Sequence, residues 1–173
     1  MSSTPLPLPL FVLGAESPDV AAIRQILTHL GIGHCAALVR DGSAVRRVRI
    51  GEKPDLGLTF GASGAPPSIV TVEVDIDAGA LPESTSLLIV NPIDRPASKY
   101  WRASSIGQVW SLLSLWGRVS AVPPTELLWV AALRHREAAL AGRLDGVDFS
   151  PGRPGRAWLE RMDAQIAGLG GAL

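Results

Sequence analysis

The sequence predicts an α/β fold: a three-layer, Rossmann-like arrangement with a mostly parallel sheet, helices on both faces and a helical C-terminal half. Three observations carry that prediction. The apolar runs are short and continuous rather than alternating, as in strands buried on both faces. The first run passes through a tight turn straight into a capped helix, and helix signals dominate after residue 104. A length of 173 residues suits one hydrophobic core. The expected organisation is therefore a Pro/Leu-rich arm over 1–9 and a single α/β domain over 10–173.

The arm reads MSSTPLPLPL through Leu10, and its alternating prolines favour extended backbone. Leu10-Phe11-Val12-Leu13 is the first strand, ending at Gly14-Ala15-Glu16. Ser17 then suits an N-cap, Pro18 the first helical position, and Asp19 the helix dipole. Val20, Ile23, Leu27 and Leu30 recur at helical spacing until Gly31. His34 to Val39 reads as a second strand, and Asp41-Gly42 turns the chain into a returning strand from Ala44 to Ile50. The return carries Arg46, Arg47 and Arg49, which with Arg40 form a local basic patch, read as the solvated face of an edge strand or as an anion site.

Residues 51–68 are rich in Gly and Pro and read as a long loop. Ile69 to Val74 is a β-branched strand, and Ser86 to Val90 reads as another central strand ending at Asn91-Pro92. Ser104 or Ser105 caps a helix from about Ile106 to Trp116; Thr125 caps one from Glu126 to about Ala141; a last helix runs from about Arg156 to Ala167. Trp110, Trp116 and Trp129 fit helix faces, whereas Trp101, beside Tyr100, is placed in a loop.

Composition excludes several function classes. Sixteen basic and 16 acidic side chains cancel, so neither double-stranded nucleic acid nor a charged membrane surface is an expected partner. No run is long and apolar enough to span a bilayer, and the N-terminus has no basic leader, so the expected compartment is the cytoplasm. A single cysteine, Cys35, permits no internal disulfide and lies in an apolar stretch suited to packing. Hydrophobic residues at 47% against 18% charged imply large buried faces, or a surface covered by a protein partner or by self-association.

In an open parallel sheet, ligands bind outside the carboxyl ends of the strands. Three loops leave those ends: Gly14 to Asp19, Asp75 to Gly79, and Asn91 to Ser98. They direct Glu16, Asp19, Asp75, Asp77, Asn91 and Asp94 towards one rim, and such oxygen donors are what Mn²⁺ or Mg²⁺ prefers. Asp and Asn also follow strands simply because they cap turns. Helix starts at Ser17 and at Ser104 and Ser105, together with Asn91, are candidates for holding a phosphate. The sequence contains no GxSxG, no GxGxxG after a strand, no P-loop and no HExxH. His29 suits the end of a helix dipole, and His135 a solvated basic face.

Taken in order, these motifs resemble the DHH phosphoesterase superfamily across roughly residues 10–148. That family opens with a strand and a helix bearing acidic residues, matched by Phe11 to Asp19. Val72-Glu73-Val74-Asp75 stands where the family ends a strand on Asp, and Ala103-Ser104-Ser105 matches its Ala-Ser-Ser helix start. Where the family carries Asp-His-His, this chain reads Asn91-Pro92-Ile93. The resemblance implies a degenerate member, because Pro and Ile cannot coordinate and paired cations need anionic ligands to offset their repulsion. Three functions follow as expectations. The first is a non-catalytic binding or assembly module for a phosphate-bearing small molecule, a nucleotide or a partner protein. The second is a Mn²⁺- or Mg²⁺-dependent phosphoesterase using Glu16, Asp19, Asp75, Asp77 and Asp94, and the third is a structural subunit.

Overall fold

The computed structural model describes residues 7–92, 100–124, 127, 128, 130 and 131. In chain order its elements are β1 (Leu10–Leu13), α1 (Pro18–His29), β2 (His34–Ala36), β3 (Leu38–Asp41), β4 (Ala44–Arg47), α2 (Leu56–Phe60), β5 (Ser68–Val72), β6 (Ser86–Val90), α3 (Tyr100–Ala103) and α4 (Ser105–Leu115). Four strands form one parallel sheet in the order β2-β1-β5-β6, and β3 and β4 form an antiparallel hairpin. The molecule is thus α/β, with a parallel sheet compatible with a Rossmann-like fold. The chain falls into two compact units, Met1–Asn91 and Pro92–Leu173.

In the first unit, β1 is central because both its neighbours pair with it in parallel register: Val12 lies beside Cys35 on one side and Thr71 on the other. Phe11, Leu13, Val70, Val72 and Val90 share one face and are fully buried. The opposite face carries Val12 and Ile69, which pack with Ala37, Val48, Val74, Ile76 and Leu81, flanked by Cys35, Leu56, Phe60 and Leu87. Burial there pushes the Cys35 thiol above its ordinary pKa, which suppresses the reactive thiolate.

Four expectations need correcting. The run His34 to Val39 is two strands: Ala37 donates its N–H to Leu13 O, accepts from Val48 N, and so moves the chain from sheet to hairpin. Residues 51–68 contain a short helix, α2, capped by Asp55, whose side chain accepts from Leu58 N at 3.0 Å. The strand expected to reach Val74 stops at Val72, because Glu73 turns the backbone to φ 55°. Finally, β6 is not central: among the described residues it pairs only with β5, and Leu88 and Ile89, on opposite faces, stay 43% and 49% exposed. An apolar run identifies a strand without saying how many neighbours it has.

In the second unit, Trp101 lies in helix α3 rather than in a loop. Ser104 caps α4, accepting from Gly107 N at 3.0 Å while donating to Trp101 O at 2.8 Å. A Cβ at position 107 would overlap that Trp101 carbonyl, so only glycine fits there. Ile106, Val109, Trp110 and Leu113 form the buried side of α4, and Trp110 Nε1 donates to Ser120 O. Leu127, Leu128, Val130 and Ala131 are helical. The remaining positions of the helices expected over 126–141 and 156–167, with Trp129 and His135, lie outside the described residues, as do arm residues 1–6 and Asp94.

Candidate functional site

The carboxyl ends of β1, β5 and β6 meet where Gly14 N donates to Val72 O and Glu73 N donates to Val90 O, both at 2.8 Å. Gly14 is pressed against the Glu73 carbonyl so closely that any Cβ would overlap it. Glu73 is, among the described residues, the one non-glycine at positive φ. A left-handed conformation costs a side-chain-bearing residue about 1–2 kcal/mol. The strain sits where the two strand ends are locked together.

From this junction α1 begins. Ser17 accepts from Val20 N at 3.1 Å as the N-cap, and its hydroxyl donates to Glu73 Oε2 at 3.2 Å. Pro18 supplies a fixed φ at the first helical position. Asp19, expected at the rim, is instead fully buried in the first turn of α1.

Glu16 stays at the surface, 49% exposed, with two arginines on one carboxylate. Arg24, from the second turn of α1, approaches as a fork, Nη2 to Oε1 at 3.0 Å and Nη1 to Oε2 at 3.2 Å. Arg47, from the end of β4, also donates to Oε2. Its side chain is only 22% exposed. Sequence reading missed Arg24 and named Arg47 only as part of the basic patch, since no local pattern links Arg47 to a partner 31 positions away.

The other candidates are dispersed. Asp75 accepts from Asn91 Nδ2 at 3.2 Å, joining the ends of β5 and β6, while Asp77 caps a short 3₁₀ turn by accepting from Gly79 N at 2.9 Å. Val74 and Ile76 alternate with them into the core. In the second unit the Ser104 hydroxyl is committed to its cap, and Ser105 is fully buried. Among the described residues, no three His, Cys, Asp or Glu side chains come together as a metal-ligand group. Nor is any helix of the described residues long and apolar enough to cross a membrane.

The arginine patch itself divides. Arg46 forms a second cluster with Asp41 and Glu52: Nε donates to Asp41 Oδ2 at 2.7 Å, and Nη1 and Nη2 grip Glu52 at 2.7 and 2.8 Å. Arg49 N donates to Glu52 Oε2 at 2.7 Å. The Arg46 hydrogen bonds, aided by that amide, draw the Glu52 pKa down to about 2 and lower that of Asp41. His34 is held by Ile32 O and Thr28 Oγ1.

The class defined by this fold and rim is an α/β protein whose parallel sheet ends in polar loops at the carboxyl edge. Compared with known proteins, the chain matches no protein-family model, no curated protein and no solved structure.

Proposed function

We propose that this chain is a non-catalytic binding or assembly module on a DHH-phosphoesterase-like scaffold, taking a phosphate-bearing small molecule, a nucleotide or a partner protein at its strand-end rim. One observation carries the reading: among the described residues, the exposed acidic groups of the rim are separately engaged. Glu16 is held by two guanidiniums, Asp75 by the Asn91 amide, and Asp77 by a turn N–H. A two-metal centre requires several anionic ligands converging within a few ångströms, since only they offset cation repulsion. Asn91 and Pro92 stand where the DHH pattern asks for charge and imidazole. A carboxamide and a pyrrolidine ring supply neither.

The test is a phosphodiesterase assay on dinucleotides with Mn²⁺. No turnover above buffer is expected. Sustained hydrolysis that disappears in Asp75→Ala overturns the proposal in favour of a metal-dependent enzyme.

A further inference from the structure

We infer that Arg24 and Arg47 form a binding site for a dianionic phosphoryl group, with Glu16 acting as its built-in competitor. The inference rests on the binding reading above and gives it a ligand class and residues. Two guanidiniums share one carboxylate, so the cluster carries a net positive charge. A second monoanion there would merely replace Glu16, whereas a phosphate monoester brings close to two negative charges at pH 7 and neutralises both arginines.

Geometry favours the same ligand class. Arg24 already addresses Glu16 in a two-pronged fork, the arrangement that guanidinium uses for phosphate and carboxylate oxygens. The two arginines stand on separate supports, a helix and a strand end, so a group bound between them is held from two directions. Arg47 is mostly covered, which limits both its hydration and the freedom it would lose on binding. Arg24 and Glu16 are 42% and 49% exposed, so the internal ion pair is screened and open to displacement. The Arg46 cluster makes the contrast: Arg46 there serves two carboxylates that also feel the Arg49 charge, so the cluster is balanced and leaves no surplus positive charge for an added anion.

Calorimetric titration of the full chain in low-salt buffer with chelator, using inorganic phosphate, adenosine monophosphate and acetate as probes, tests the assignment. Phosphate and the nucleotide should bind and acetate should not. Equal affinity for the first two identifies the phosphoryl group alone as ligand, and stronger nucleotide binding identifies a nucleotide source. Glu16→Gln removes the competitor and should tighten phosphate binding about five-fold, the scale of an exposed ion pair. Arg24→Gln and Arg47→Lys should each weaken it about ten-fold, the lysine keeping charge but losing the planar guanidinium. Arg40→Gln, exposed on the same hairpin, should change nothing. If Arg47→Lys loosens the hairpin, Arg24→Gln still decides, because it leaves the Arg47–Glu16 pair intact. Unchanged affinity in Glu16→Gln, indifference to both arginine variants, or no phosphate binding by either wild type or Glu16→Gln overturns the inference. Mn²⁺-dependent hydrolysis would sink the non-catalytic reading while leaving these metal-free titrations standing.

Discussion

Arg46 and Arg47 are neighbours on one strand, yet they build ion clusters of different balance. Arg46 bridges two carboxylates, Asp41 and Glu52, and the Arg49 charge acts on both, so that cluster is balanced; Arg47 joins Arg24 around the single carboxylate of Glu16. Successive residues of a strand point to opposite sides, so adjacent arginines meet different surroundings. The first cluster closes within the hairpin and its following turn, tying positions five and six apart; the second reaches 31 positions back to the β1–α1 turn. The hairpin cluster stabilises its own turn, whereas the rim cluster leaves positive charge where a parallel sheet presents ligands. Sequence position does not distinguish them; their partners do.

The largest expected effect comes from separating the two at the backbone. Gly14→Ala forces a methyl into the Glu73 carbonyl and should cost about 2–4 kcal/mol in urea unfolding, in the range of overpacking and backbone strain. It displaces the turn that carries Glu16 and should leave the hairpin cluster intact. Arg46→Ala should lower the melting temperature more than Arg47→Ala does. Without Arg46, two carboxylates lose their shared hydrogen-bond donor and keep only the charge of Arg49 near them; without Arg47, Glu16 keeps the Arg24 fork. The gap between the two variants should narrow in high salt.

Ser17→Ala removes the cap of α1 beside the rim and should cost about 1 kcal/mol, read by chemical denaturation. The acid limb of stability should belong to the hairpin. Glu52 titrates at about 2 in the folded chain against an ordinary 4.5. The stability it provides is therefore fully present above pH 4.5 and is lost as pH falls towards 2. Glu52→Gln should flatten that limb in pH-dependent melts, and a limb unchanged in the variant would refute the assignment. The smallest effect is expected from Arg49→Ala, within about 0.5 kcal/mol, since Glu52 uses the backbone N–H of Arg49.

Much of the fold was legible because it is local. Ser17, Pro18 and Asp19 announce α1, and Ser104 announces α4, through side chain–backbone contacts three residues long. The candidate site was half legible. Strand-end residues Glu16, Ser17, Asp75 and Asn91 were located, yet Asp19 went inside, Asp77 went to a turn, and Arg24 and the pairing of Arg47 with Glu16 were hidden. Asp55 could have revealed α2 by the same capping logic that found α1, because its side chain accepts from Leu58 N.

By itself, then, the sequence determined where β1, β6, α1 and α4 lie, because hydrophobic periodicity and caps act over a few residues of backbone. Only the tertiary structure decided that β6 pairs with β5 alone among the described residues, that the chain changes sheets at Ala37, and that Arg47 meets Glu16. Each of those depends on which distant segments share a face. Chain connectivity leaves that open until the core is packed.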